Sequence, residues 1–249
     1  MVSAGSSAPQ HPFGAGDAQE IERHKRLAAR AAAELVQDGM LVGLGTGSTV
    51  AYLLEALGER ERELGEARFA ATSPATERTA QALGLEVREL DELGKLDLAI
   101  DGADQVDPQG WLIKGGGAAH TREKIVAASA RRFVVIVSAE KLVGALTPPV
   151  PLELISFGVQ STLRRLEHAQ LRAEHAASAG SERVQRSPDG GLIADYLGPV
   201  GDPRELAVSL STTLGVIEHG LFAPEMVSLI LSGSENGVES RPGAKAETP

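Results

Sequence analysis

The sequence has no cysteine, so disulfides, thiolate nucleophiles and cysteine-ligated metals are excluded. It is nearly as poor in aromatics, 3% of 249 residues, although 42% are hydrophobic. Its core must therefore be built mostly from Ala, Val, Leu and Ile. No apolar run approaches the roughly 18 residues of a membrane span. The N-terminus also lacks a basic stretch followed by an apolar one. Positive charge is in deficit: 24 Lys and Arg against 34 Asp and Glu leave a formal net charge of −10 and a pI near 5.1. That balance argues against nucleic-acid or anionic-membrane partners. The six histidines show no convincing ligand spacing, so no metal site is expected. The chain reads as soluble and cytoplasmic.

What is present is a regular alternation. Residues 1–17 are rich in Ser, Ala, Gly and Pro and read as a disordered tail. A helical pattern follows from Ala18 to about Gln37, with Ile21, Ala28, Ala31 and Leu35 on one face and Gly39 as its stop. Strands are expected at Met40–Leu44, Phe69–Thr72, Leu85–Leu90, Leu98–Ile100, Trp111–Ile113 and Phe133–Val137, with helices between several of them. Ser73 and Pro74 form an N-cap and first helical position, and Gly84 ends that helix. The alternation predicts an α/β fold, a mostly parallel Rossmann-like sheet with helices on both faces.

At Pro148–Pro151 the pattern changes. A strand Leu152–Ile155, a helix carrying Leu163, Leu166 and Leu171, a strand near Val184, a strand Leu192–Tyr196, a helix capped by Asp202, Pro203 and Glu205, and a strand Val216–Phe222 follow. The order β-α-β-β-α-β predicts a smaller ferredoxin-like domain over residues 148–223. The larger α/β domain would take 18–147 and 224–239, and 240–249 reads as a second disordered tail.

Chemistry-bearing residues gather after the expected strands, where ligands of such sheets sit. Gly45-Thr46-Gly47-Ser48 is a glycine turn leading into a helix that begins with Thr49. Its glycines permit close backbone approach, and free N–H groups at a helix N-terminus suit an anion. A dinucleotide fingerprint would need glycine at Ser48, and a P-loop would need a lysine that is absent, so neither cofactor nor nucleoside triphosphate is expected. Asp101 and Asp104 flank Gly102-Ala103 after one apolar run. Lys114 and Gly115-Gly116-Gly117 follow the next, and Glu123 stands near the start of a helical pattern. Two carboxylates, an ammonium, a flexible glycine run and a third carboxylate at a helix start describe a reaction site.

The stretches DGADQVD, IKGGGAAHTREKIVA, GLGTGST and SAEKLV, in this chain's order, resemble the signature of ribose-5-phosphate isomerase, type A, over about residues 19–240. The resemblance implies an aldose–ketose isomerase interconverting ribose 5-phosphate and ribulose 5-phosphate through an enediolate, with no metal or organic cofactor and a homodimeric or homotetrameric assembly. Glu123 would be the base, Lys114 the cation at the enediolate oxygen, and Asp101 and Asp104 the groups that assist ring opening and hold sugar hydroxyls. Lys25, Thr46, Gly47, Ser48, Thr49 and Lys141 would hold the phosphate, with Gly115, Gly116 and Gly117 against the substrate. In an acidic protein such a ligand requires a local basic pocket.

The chain departs from the family in a polar insertion at about Glu174–Ser181, in a turn that reads Pro188-Asp189-Gly190-Gly191, and in His120, usually an apolar position and expected to be a bystander or to tune Glu123. His168 and His175 are expected on a solvated helix face. An amino-sugar phosphate deaminase would lack the DGAD and KGGGA pairing. A sugar-phosphate sensor of the kind found in transcriptional regulators would need a helix-turn-helix for which the polar N-terminal residues are too few.

Overall fold

The computed structural model describes residues 15–174 and 183–245. It runs α1 (Ala15–Ala33), β1 (Leu41–Leu44), α2 (Ser48–Gly58), β2 (Arg68–Ala71), α3 (Pro74–Ala82), the one-turn α4 (Leu90–Leu93), β3 (Leu96–Asp101), β4 (Gln105–Val106), β5 (Leu112–Ile113), α5 (His120–Ser129) and β6 (Ala130–Ser138). Then come β7 (Val150–Leu154), α6 (Val159–Leu166), β8 (Ala169–Leu171), β9 (Leu192–Tyr196), α7 (Pro203–Thr212), β10 (Val216–His219), β11 (Leu221–Phe222), β12 (Leu229–Ser234) and β13 (Gly237–Pro242).

The main sheet has the order β13-β12-β6-β3-β1-β2, parallel throughout except for β13. Both faces are covered, which is why its strands read as apolar runs rather than as alternating ones. Along β6, Val134 and Ile136 pack with α1 and α2, while Phe133, Val135 and Val137 pack with α5. The α1 face is filled by small side chains: Ala28, Ala29 and Ala32 are fully buried, which lets that helix lie close to the sheet. After β1 the chain moves outward to β2, then returns to β3 on the other side of β1. The loops after β1 and β3 thus diverge, with α2 on one face and α5 on the other. A crevice opens at this switch point.

Strands β7 to β10 form an antiparallel sheet ordered β10-β7-β9-β8, with α6 and α7 in a β-α-β-β-α-β sequence whose second strand is β8 and not the strand expected near Val184, which makes only an isolated bridge to Ala173. Asp202 caps α7 by accepting from Arg204 N at 2.8 Å. A third, small antiparallel sheet, β11-β5-β4, joins the two.

Several expectations need correction. Trp111–Ile113 does not enter the parallel sheet; its strand pairs with β4 and β11 instead. Leu85–Leu90 forms no strand beyond a bridge between Phe69 and Val87, because Arg88 and Glu89 at this edge stay exposed. Leu171 belongs to β8, since α6 stops at Leu166 before Glu167, which has positive φ. The run Val216–Phe222 breaks at Gly220, whose N–H bonds Pro151 O and whose carbonyl accepts from Lys114 N, so its halves join different sheets. Helix α1 starts at Ala15 and ends at Ala33, where the next bonds tighten to three-residue spacing. Residues 240–242, expected in a tail, are strand. The two residues between Ser234 and Gly237 make a hairpin that returns β13 along β12. Residues 1–14, 175–182 and 246–249, and with them His175 and most of the insertion, lie outside the described residues.

Candidate active site

Three of the expected loops leave the C-terminal ends of β1, β3 and β6. The fourth, at Lys114, is brought over them by the small sheet. Lys114 N donates to Gly220 O at 2.8 Å, and Asp104 N to Ile113 O at 2.8 Å. They enclose a cavity of about 140 Å³ lined by Lys25, Thr46, Gly47, Ser48, Thr49, Asp104, Lys114, Gly115, Gly116, Gly117, Glu123 and Lys141. Residues separated by more than a hundred positions therefore share one wall.

Lys114 is the centre of the deep end. Its Nζ donates to Asp101 Oδ2 at 2.7 Å and to Gly102 O at 2.6 Å, and lies 3.0 Å from Glu123 Oε2. The contact with Glu123 is an ion pair and not an aligned hydrogen bond, because buried Oε2 finds no hydrogen-bond partner. Asp101 is fully committed: its Oδ1 accepts from Thr46 N at 3.1 Å and Gly102 N at 2.7 Å. It sits behind Lys114 and does not line the cavity. Gly45 makes this possible, since a Cβ there would fall 1.9 Å from Asp101 Oδ1. Asp104 does face the cavity, and its Oδ2 accepts from Gly116 N at 2.9 Å, which orders the glycine run.

All three central groups are nearly dry, at 3–4% side-chain exposure. Burial pushes the Glu123 carboxyl up to about 7, and the Asp101 charge adds to the rise while Lys114 opposes it. Burial also raises Asp101, against Lys114 and its two backbone donors. For Lys114, burial favours the neutral amine, but the two carboxylates outweigh it and hold the ammonium above its ordinary range. The cluster is one fixed cation shared by two carboxylates, of which Glu123 is the one that lines the cavity.

The outer end is built differently. Thr46 Oγ1 bonds Thr72 Oγ1 at 2.8 Å and Thr76 Oγ1 at 3.2 Å, and Thr76 Oγ1 donates to Gly45 O at 2.9 Å. The glycine turn is thereby tied to the start of α3, where Ser73 caps Thr76 N. Gly47 takes φ +122 just ahead of α2. Ser48 is exposed at that helix start. Lys25 reaches the same rim from α1, where Glu22 pairs with it at 2.8 Å and is itself held by Tyr52 OH at 2.6 Å. Lys141 arrives from the turn after β6. Thr72, Thr76 and Glu22 were not singled out in the sequence, because nothing local marks a threonine that contacts a loop 30 residues away.

His120 is fully buried, pushed down to about 4 by burial, and neutral. It fills the space behind Gly115, where a Cβ would lie 2.7 Å from its Nδ1. His168 is exposed, just beyond α6. Among the described residues no group of three or more His, Asp or Glu side chains is placed to hold a metal ion, and no helix is long and apolar enough to cross a membrane.

Comparisons with known proteins point to one family. A family model described as Ribose 5-phosphate isomerase A (phosphoriboisomerase A) matches residues 68–237. The ribose-5-phosphate isomerase A of Gluconobacter oxydans is 44% identical over 224 residues, 88% of this chain and 96% of its own. That of Lacticaseibacillus paracasei is 42% identical over 217 residues, 86% and 94% respectively. Among solved structures, a D-ribose-5-phosphate isomerase in complex with phospho-erythronic acid superposes with a TM-score of 0.83 at 35% identity, covering 89% of this chain and 99% of that one. The ribose 5-phosphate isomerase A of Methanocaldococcus jannaschii gives 0.80 at 35% identity, covering 88% and 97%.

Proposed function

This chain belongs to the ribose 5-phosphate isomerase A family, and from that premise we propose how its residues carry out the interconversion of D-ribose 5-phosphate and D-ribulose 5-phosphate. The observation that carries the scheme is Glu123: a buried carboxylate on the cavity wall, raised to about 7 and paired through Oε2 with a permanent cation. A general base works best when its pKa lies near the working pH.

Asp104, on the cavity wall, opens the furanose by taking the proton of the C1 hydroxyl and passing it to the ring oxygen as the bond between C1 and that oxygen breaks. Glu123 then removes the proton from C2. The electron pair forms the C1–C2 double bond, and negative charge gathers on O1, where Lys114 stabilises it. Glu123 returns the same proton to C1 while the O2 hydroxyl proton passes to O1, with Asp104 as its relay. Asp101 holds Lys114 and the Thr46 backbone in place. Lys25, Lys141, Ser48, Thr49 and the backbone at Thr46 and Gly47 take the phosphate, and Gly115 to Gly117 lie along the sugar. The cation for the enediolate is Lys114 itself, so exhaustive chelation should leave the rate unchanged.

The reaction is placed in the cytoplasm and in a homodimer or homotetramer, which fractionation and light scattering would check. Purified protein converting ribose 5-phosphate to ribulose 5-phosphate tests the activity. Conversion lost on chelation and restored by a divalent ion would sink the scheme.

A further inference from the structure

Helix α5 presents Glu123 in its first turn, yet the helix has no cap of its own. Its N-cap residue is Ala119, which makes no side-chain bond, and Ala118 before it has φ +62. Side-chain caps satisfy the free N–H groups of a first turn and help define where it begins. Here that turn is held from outside. Thr121 Oγ1 donates to Glu153 Oε2 on β7. Arg122 makes a two-pronged contact with Asp189 at 2.8 and 2.6 Å. Lys124 donates to Glu218 Oε1 and His219 O, each at 2.7 Å. Both neighbours of Glu123, and Thr121 ahead of them, are thus bonded to the antiparallel sheet or to the 187–191 turn that leads into it, while Glu123 lines the cavity.

Glu153 is the unusual member. It is 2% exposed, and its two hydrogen-bond donors, Thr121 Oγ1 and Ser187 Oγ, carry no charge. A buried carboxylate is costly unless its oxygens are well satisfied. The turn opposite is shaped to do so. Ser187 Oγ accepts from Gly191 N at 3.1 Å and Asp189 N at 3.2 Å, which aims its own proton at Glu153. At Gly191 a Cβ would fall 2.2 Å from Glu153 Oε1, so only glycine leaves room. One acceptor on β7 therefore fixes both the 187–191 turn and the first turn of α5.

We propose that Glu153, acting through Thr121, is a positioning residue that sets where the Glu123 carboxylate stands against the substrate's C1–C2 edge. The proposal rests on the reading of Glu123 as the base. Proton transfer to carbon tolerates little displacement; an error of about 1 Å costs on the order of a hundredfold. Lys114 is fixed by Asp101 and Gly102 O, so a loosened α5 would move Glu123 and leave the cation where it is.

The test is a kinetic cycle with Thr121→Val, which keeps the shape and removes the donor at a half-buried position, and Thr121→Ser, which restores it. Thr121→Val should lower kcat by about ten- to a hundredfold with KM for ribose 5-phosphate within about twofold. Thr121→Ser should recover most of the loss. Glu153→Gln, with one acceptor oxygen for two hydroxyls, should fall with Thr121→Val, and the double variant should be no worse than the poorer single. In a Glu123→Gln background Thr121→Val should have no further effect. A Thr121→Val enzyme at full rate would overturn the proposal, as would an equal loss in both backgrounds, which marks general loosening. Full activity in Glu123→Gln alone would instead remove the base, a separate failure visible without any change at Thr121.

Discussion

The cavity holds lysines in two ways. Lys114, at 3% side-chain exposure, is locked among Asp101, Gly102 O and Glu123. Lys25, at 14%, pairs with a Glu22 that is 44% exposed. The first pair lies in a medium where charges act strongly on one another, and the second at a rim where water and salt weaken them. An exposed ion pair is worth about 0–1 kcal/mol. Under the proposed scheme Lys25 would therefore trade Glu22 for an arriving phosphate at little cost. Lys114 has no such freedom, and under the proposed scheme it needs none, since charge would develop where the ammonium already stands. In that scheme the same residue type would be a movable anchor at one end and a fixed electrode at the other.

The largest expected effect separates the ends by removing the base. Glu123→Gln should lower kcat by about two to four orders of magnitude, the span of a positioned general base. Exchange of the C2 proton with deuterated solvent should fall in parallel, and phosphate-dependent binding should persist. Full activity would return Glu123 to a structural role and leave Asp104 as the cavity carboxylate.

Next in size is the rim. Lys25→Ala and Lys141→Ala should each raise KM by about tenfold with a smaller loss of kcat, because an anchor felt equally in ground and transition states gives uniform binding. Added salt should raise KM in the parent enzyme and less in Lys25→Ala. An unchanged KM in both variants would take the phosphate away from this rim.

How much of this was readable beforehand follows the same division. The deep end was legible because its residues sit in compact stretches: DGAD at one strand end, and KGGG followed by Glu123 on the next helix. What could not be read was the path between them. Lys114 was expected at the mouth of a strand in the parallel sheet, whereas β5 belongs to a separate three-stranded sheet built with β11, which lies 108 positions later in the register Ile113–Leu221. Asp101 was expected on sugar hydroxyls; its oxygens are spent on Lys114, Thr46 N and Gly102 N, which only the folded turn brings near. The C-terminal stretch misled by composition. Its polar residues resemble a tail, yet they suit an edge strand that stays largely in water, joined to β12 by the turn residues Glu235 and Asn236.

A third test concerns how the buried charges set each other. Kinetic kcat/KM should fall as pH drops and Glu123 takes up its proton. The Asp101 charge raises the Glu123 carboxyl. Asp101→Asn removes that anion, so Glu123 should ionise more readily and the acid limb should move to lower pH, alongside a loss of rate from a less firmly held Lys114. Lys25→Ala should leave the limb nearly where it is, because the charges that chiefly act on Glu123 are those of Asp101, Lys114 and Asp104. A limb displaced by Lys25→Ala and not by Asp101→Asn would reverse the assignment of the two ends.

The smallest effect is on stability, and its sign depends on pH. Glu123 keeps its proton up to about 7 in the folded protein, whereas an unconstrained glutamic acid releases it near 4.5. Between those values the folded state binds more protons than the unfolded one, so this group's contribution to stability falls as pH rises. The penalty is small near pH 5 and complete above about pH 7, where it is on the order of 3 kcal/mol at most. Glutamine never ionises and carries no such penalty. The Tm of Glu123→Gln should therefore match the parent closely at about pH 5 and exceed it by several degrees at about pH 8. Lys25→Ala, at the wet end, should show no gap that opens with pH. An equal Tm difference at both pH values would mean that the carboxylate at the heart of the site is not held against its own ionisation. The contrast between a dry reacting end and a wet anchoring end would then rest on exposure alone.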